Sequence, residues 1–390
     1  MSSWPKVRMD QCAEIISGGT PKTSEPSYWD GNIQWATPKD LSELDGAYIS
    51  ETARKITQSG LQSCAATILP PNSVMFSSRA PIGYVAINTV PMATNQGFKS
   101  FVPNHDCLDP KFLYHWLRKN RLYLEALGSG ATFKEVSKTV VSRVEISLPP
   151  LSEQEQIAKV LDKADALRAN RKTTMDVLYE FSQSIFLEIF GDPGGNPKGW
   201  HEVPISEATN GSTKWNPASK PNKEFVYIDI SSIDRSKKEI IEVSKILGKD
   251  APSRARQIVR SGDVLVSTVR PNLNAVALVP PNLDGATAST GFCVLRPKKR
   301  ILTSYYLFAL VCSNAFVTTM TRLATGASYP AVTDSIVRSW MTPIPPLDLQ
   351  VEYDSRIERI THVQAVQKSS LMKFDELFYS LQEHAFQGDL

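Results

Sequence analysis

One phrase occurs twice in this chain. Leu148-Pro149-Pro150-Leu151-Ser152-Glu153-Gln154-Glu155-Gln156 returns as Ile344-Pro345-Pro346-Leu347-Asp348-Leu349-Gln350-Val351-Glu352, at a period of 196 residues in a chain of 390. The echo continues upstream. Gly130-Ala131-Thr132-Phe133 meets Gly326-Ala327-Ser328-Tyr329, Gly97-Phe98 meets Gly291-Phe292, and Val74 to Ser78 meets Val264 to Thr268, with the offset shrinking toward 190. Drifting offsets are what length changes in surface loops produce. A period this long exceeds any solenoid unit, so each copy is expected to be a domain with its own core, and the chain a duplicated binding protein.

Each copy opens as a turn-rich, β-leaning stretch. Short apolar runs at Asn32 to Ala36, Ser73 to Phe76, Gly83 to Ile87 and Phe98 to Val102 read as strands between Pro, Gly, Ser, Thr and Asn. A helical stripe follows at Lys111 to Leu127, stopped by Gly128, with Thr303 to Leu323 as its counterpart. Thr132-Phe133-Lys134-Glu135 then reads as a capping box, and Ser328 precedes Pro330 at a first-turn position, so both are expected to open a short helix. Such an amide-rich helix start suits a phosphate; an ordinary capped helix facing water fits the same residues.

Leu-Pro-Pro-Leu forces an extended connector, after which long helices are expected to begin at the Ser152-Glu153-Gln154-Glu155 capping box and at Asp348 as N-cap. The first carries Ile157, Leu161, Ala164, Leu167, Met175, Leu178, Phe181, Ile185 and Ile189 at spacings of three and four and ends at Phe190-Gly191-Asp192-Pro193. The second carries Tyr353, Ile357, Ile360, Val363, Leu371, Phe374, Leu377, Leu381 and Phe386. These are coiled-coil seams. Neither helix buries its stripe alone, and the nearest partner is the other, so the pair is expected to run antiparallel as a rod of roughly 58 Å. Such a rod would hold two heads over DNA sites about one to one and a half turns apart.

A net charge of +3 does not by itself announce nucleic acid. The longest apolar stretch, Tyr305 to Cys312, is too short for a membrane span, and the first residues lack a signal core, so a cytoplasmic location is expected. Cys12, Cys64, Cys107, Cys293 and Cys312 lack metal or disulfide spacing, and the histidines at 105, 115, 201, 362 and 384 are scattered. No phosphate loop, dinucleotide turn, nucleophile elbow or Asn/Asp-Pro-Pro-Tyr/Phe segment is present. Catalysis is therefore expected to belong to other chains, and no metal is expected on this one.

Taken together, Gly18-Gly19-Thr20-Pro21-Lys22, Tyr28-Trp29, Ile33-Gln34-Trp35-Ala36-Thr37-Pro38-Lys39-Asp40-Leu41, Ser78-Arg79-Ala80-Pro81-Ile82-Gly83 and Leu148-Pro149-Pro150-Leu151 with Glu153-Gln154 and Ile157 resemble the specificity (S) subunit of type I restriction-modification systems. The resemblance implies an α+β chain of two mixed α/β target recognition domains related by a pseudo-two-fold, separated by two long helices forming an antiparallel coiled coil. It implies domain 1 over 1–150, a central helix over 151–192, domain 2 over 193–346 and a distal helix over 347–390. It further implies double-stranded DNA with a bipartite target, two modification (methyltransferase) subunits and restriction (translocase/endonuclease) subunits as partners, with S-adenosylmethionine, ATP and Mg on those partners and no cofactor here. Copy two departs from the opening signature, having Ser212-Thr213-Lys214-Trp215-Asn216-Pro217 and Phe225 to Ile230, so the two heads are expected to read different sequences. The second helix also has Leu349 before Gln350 in place of the acidic residue.

Base reading favours Arg for guanine and Asn or Gln for adenine, while Lys, Ser, Thr and helix N-termini hold phosphate. The candidate DNA contacts are Thr20, Lys22, Lys39, Ser77, Ser78, Arg79, Asn95, Gln96 and Lys134 in copy one. In copy two they are Lys214, Ser231, Ser232, Arg254, Arg256, Thr268, Arg270, Asn272 and Tyr329. Arg79 and Arg270 lead because each follows a Ser/Thr strand end and neighbours a proline. The coiled-coil positions are Ile157, Leu161, Ala164, Leu178, Ile185, Tyr353, Ile357, Ile360, Phe374 and Leu381. A protein- or carbohydrate-binding scaffold, or an enzyme with a site between head and rod, are the competing readings.

Overall fold

A computed structural model describes residues 4–130 and 134–389. The chain forms two compact units, one of Met1–Lys172 with Ser370–Leu390 and one of Thr173–Ser369.

In the first unit the expected strands form as Trp29–Ala36, Val74–Phe76, Val85–Asn88 and Lys99–Pro103. A five-stranded sheet runs in the order Ala13–Ser17, Lys99–Pro103, Val74–Phe76, Val85–Asn88, Tyr48–Ile49. Val74, Met75 and Phe76 are all buried, because both faces of the sheet are covered. Val74 and Phe76 join the core with Phe112 and Leu113, while Met75 packs with Leu69, Met92 and Phe98. An uninterrupted apolar run is the mark of such a strand. A second sheet places Trp29–Ala36 between Lys55–Ile56 and Met92–Thr94.

Helix α1, Pro110–Lys119, starts where Asp109 Oδ1 accepts the Phe112 amide at 2.8 Å and Pro110 occupies the first turn. The single helix expected over Lys111 to Leu127 is two, since Asn120 leaves the helical region and Arg121–Ala126 follows as a separate turn. The counterpart likewise breaks, into Ser304–Cys312 and Asn314–Leu323, with Ser313 Oγ capping the second piece at the Phe316 amide.

Helix α2, Leu151–Phe190, begins two residues earlier than the capping box predicts. The Pro150 carbonyl accepts the amides of Glu153 and Gln154, at 2.9 and 3.1 Å, so Ser152 lies inside the first turn. In the first unit, Ile157, Leu161 and Ala164 of α2 are buried in one core with Phe112, Phe378 and Ala385. Arg168 Nε donates to Asp375 Oδ1 at 2.6 Å, and the Arg171 guanidinium lies 5.7 Å from the Phe374 ring centre. Numbers rise on one strand of this contact and fall on the other, so the segments are antiparallel.

The second unit repeats the plan. Helix α3, Ser304–Cys312, covers a four-stranded sheet ordered Thr209–Asn210, Phe292–Pro297, Val264–Ser267, Val276–Leu278. A five-stranded sheet, built around Ala255–Ile258 and Thr287–Ser289, lies beside it. Helix α4, Leu347–Gln387, also starts two residues early, on the Pro346 carbonyl, which leaves Asp348 in the first turn, where its charge suits the helix dipole. Phe186 and Phe190 of α2 lie 5.8 and 5.3 Å from Tyr353 of α4, and Ile185, Ile357 and Ile360 complete that core with half-buried Leu178.

Of the ten seam positions, Ile157, Leu161, Ala164, Ile185, Tyr353, Ile357 and Ile360 are buried, and Leu178, Phe374 and Leu381 are half-buried. The stripe is not sealed throughout: Leu167, Phe181, Val363 and Leu377 are exposed at 48, 53, 42 and 49 %. A straight helix drifts about 20° per heptad against a 3.5-residue pattern, so a stripe of that spacing leaves the shared face along the helix.

The segment Gly-Ala-Ser-Tyr does not open a helix as expected. Thr132 and Phe133 lie outside the described residues. In copy two, Thr325 and Ala331 exchange both backbone hydrogen bonds at 2.9 Å, closing a loop around Tyr329, and the helix Asp334–Ser339 starts later on Thr333 Oγ1. Ser129 and Glu135 exchange the equivalent backbone hydrogen bonds, and Lys138–Ser142 begins on Ser137 Oγ.

Candidate nucleic-acid interface

In each unit four loops meet at one glycine. In the first, the Gly97 carbonyl accepts the Ser78 amide at 2.7 Å and its hydroxyl at 3.1 Å, while the Ser78 carbonyl accepts the Val136 amide at 2.9 Å. A side chain at Gly97 would press on Asn95 Oδ1 at 2.9 Å, the atom that accepts the Gly97 amide, and would touch Pro38 at 3.4 Å and Arg79 at 3.6 Å. The second unit repeats the knot at Gly291, whose carbonyl accepts the Thr268 amide at 2.9 Å and hydroxyl at 3.0 Å; Thr268 in turn accepts the Val332 amide.

These bonds sort the predicted contacts. Ser77, Ser78, Ser232 and Thr268 are buried, and all but Ser232 spend their hydroxyls on backbone carbonyls: Ser77 on Pro81, Ser78 on Gly97, Thr268 on Gly291. Ser232 Oγ accepts the Asp229 amide. Buried and internally satisfied, they brace loops where the sequence suggested surface contacts. Gathered around Gly97 are exposed Lys39 and Gln96 with half-buried Thr20, Arg79 and Asn95. Thr20 bonds Gln96, and Asn95 Oδ1 holds the Gly97 amide. Lys22 and Lys134 are exposed on adjoining loops. In the second unit Arg254, Arg270 and Tyr329 are exposed around the Gly291 knot, with Ser231 and Asn272 exposed on flanking turns. Lys214 and Arg256 lie instead on the paired strands Thr213–Lys214 and Ala255–Ile258, where Arg256 is tied to Asn216.

The two leading arginines are not equivalent. Val269 pairs with Ala331 as Arg79 pairs with Glu135, so Arg270 corresponds to Ala80; both stand at positive φ, +50° and +46°, before a proline. A non-glycine residue in that region costs energy and concentrates at functional sites. Arg79 is held 3.8 Å from Glu135, which also takes the buried Lys99 ammonium at 3.0 Å. The Arg270 guanidinium lies over the Tyr329 ring.

One cluster was missing from the sequence reading. Arg54 stacks 3.6 Å over Trp29, which meets Trp35 edge-on at 5.1 Å. The indoles bond the carbonyls of Lys22 and Gly19, tying this exposed cation to the Gly-Gly-Thr-Pro-Lys loop. The two tryptophans signalled it, but Arg54 is distant in sequence from both motifs.

Residues 1–177 match the family model described as type I restriction modification DNA specificity domain. The chain is 36 % identical over 191 residues to the type I restriction enzyme MjaIX specificity subunit of Methanocaldococcus jannaschii, covering 48 % of this chain and 44 % of that one. It is 22 % identical to the EcoDI specificity subunit of Escherichia coli over 92 % of this chain and 89 % of that one. Residues 1–177 of this chain are thus similar to a type I specificity domain. Alignments to the first specificity subunits it matches span 40 to 44 % of their length. A chain from a structural study of complex assembly and conformational transition of the type I R-M system shares the fold, with TM-score 0.56, 19 % identity and coverage of 99 and 98 %. The crystal structure of the S subunit from M. genitalium shares it at TM-score 0.55 and 14 % identity, over 98 and 96 %. The architecture is two α/β units, each holding paired segments of the long helices. Among the described residues no helix is long and apolar enough to cross a membrane, and no group of three or more His, Cys, Asp or Glu could hold a metal.

Proposed function

We propose that the chain is the sequence-reading subunit of a type I restriction-modification complex, in which residues 1–150 and 193–346 each read one half of a bipartite DNA target and the helices over 151–192 and 347–390 set the gap. The observation that carries this reading is the duplicated glycine knot, which presents Arg79, Gln96 and Lys39 in one unit and Arg254, Arg270 and Tyr329 in the other. The exposed residues differ in charge and hydrogen-bonding pattern, so the half-sites differ.

Each unit leaves its helix segments exposed apolar residues for a modification subunit, Val177, Phe181, Val363 and Val366 in the second and Leu167, Met372 and Leu377 in the first. Methyl transfer, ATP-driven translocation and cleavage, with S-adenosylmethionine, ATP and Mg, are assigned to partner chains in the cytoplasm. The test is co-expression with the modification subunit followed by methylome sequencing. A methylated motif of two unlike half-sites at one fixed gap is expected; methylation indifferent to sequence overturns the reading.

A further inference from the structure

Two glutamines one period apart make the same three hydrogen bonds. Gln154 Oε1 accepts the Asp109 amide at 2.9 Å, and its Nε2 donates to the carbonyls of Cys107 and Pro149, each at 2.8 Å. Gln350 Oε1 accepts the Thr303 amide at 3.0 Å, and its Nε2 donates to Ile301 and Pro345 at 3.0 and 2.9 Å. Both side chains are 0 % exposed. Asp109 and Thr303 are the N-cap residues of α1 and α3, the helices that cover the sheet of each unit. Each amide therefore ties the first turn of a long helix both to the connector before it and to the helix of its own head.

We infer that Gln154 and Gln350 are positioning residues that fix the angle at which each long helix leaves its recognition unit, and thereby restrict the spacer length the protein accepts. This rests on the proposed function. Three bonds to non-collinear partners leave the first turn neither rotation nor sliding, and breaking them exposes buried polar groups to the full cost of desolvation. Angle matters because the rods are long: a helix of 40 residues is about 60 Å, so a tilt of roughly 5° moves its far end about 5 Å, more than the ~3.4 Å rise of one base pair. The neighbouring position shows no such repetition. Glu153 reaches Trp4 at 3.1 Å in the first copy, whereas Leu349 stands there in the second, so the glutamine alone preserves the joint in both.

The test uses the complex with its modification subunits, comparing methylomes of wild type, Gln154→Leu, Gln350→Leu and the milder isosteric Gln154→Met and Gln350→Met. Expected are unchanged half-site bases with at least tenfold more methylation at gaps one base pair shorter or longer. An unaltered gap profile, altered half-site bases at the original gap, or failure of both the Leu and the Met variants to assemble overturns the inference. Absence of any bipartite motif with the wild-type complex counts instead against the proposed function.

Discussion

The guanidinium of Arg270 lies 4.6 Å from the centre of the Tyr329 ring, with both side chains at the surface. The stack holds a cation flat beside a left-handed backbone turn, a geometry suited to a base edge or a phosphate. Arg270→Ala is expected to weaken binding of cognate duplex by roughly 1–3 kcal/mol and, if the contact is to phosphate, to lower the salt slope by about one. Arg270→Lys keeps the charge without the planar fork and should recover the salt slope but not discrimination. Titrating the complex against cognate and random duplex at several salt concentrations checks both; unchanged binding removes Arg270 from the interface.

Glu135 restrains Arg79 while serving as partner to the buried Lys99. Glu135→Gln leaves that ammonium without its counter-charge, and a loss of about 1–3 kcal/mol in stability of the first unit is expected. Thermal unfolding of the variant should show a lower midpoint. Adding Lys99→Met, which removes the stranded charge, should restore most of it.

Asp354 of α4 accepts the Thr303 hydroxyl at 2.7 Å at the start of α3. Burial pushes its carboxyl up to about 6, against which the Thr303 bond acts only in part. A carboxyl raised in the folded state penalises folding above that value, and the penalty disappears as pH falls through 6 toward 4. Asp354→Asn is therefore expected to stabilise the second unit at pH 7.5 by an amount of the order of 1–3 kcal/mol, with the advantage gone near pH 4. Denaturant unfolding of both proteins across this range measures it; a pH-independent difference refutes the assignment.

Leu161 is fully buried in the first core, whereas Leu167 on the same helix is about half exposed. Leu161→Ala is expected to cost about 2–5 kcal/mol and Leu167→Ala within about 0.5 kcal/mol. If the exposed face docks a modification subunit, Leu167→Ala weakens assembly while leaving the melting curve of the free chain in place. Size-exclusion chromatography of the co-expressed complex separates the two effects.

Repetition and periodicity made the sheets' central strands and both long helices readable, because Val74 to Phe76 and the Ile157–Leu161–Ala164 stripe follow local rules. Helix starts went astray by two residues, since the Pro150 and Pro346 carbonyls supplied the caps that Ser152 and Asp348 seemed to offer. Local signals misled more at Ser328 to Pro330, where a tertiary backbone pair between Thr325 and Ala331 overrode a plausible helix start. For the interface, residue type pointed to Arg270, but nothing local revealed that Ser77, Ser78 and Thr268 face inward, or that Arg54 joins Trp29. Those facts depend on partners far away in sequence.

Phe378, Ala385 and Phe386 complete the core in which Phe112 and Leu161 sit, although almost two hundred residues of a separate unit are synthesised between them. The half of the molecule that leaves the ribosome first must therefore wait, with part of its apolar surface uncovered, for the last helix to emerge. During that interval it is a client for chaperones and a target for proteases, and shortening the final helical turns is expected to harm the amino-terminal unit before the one made after it.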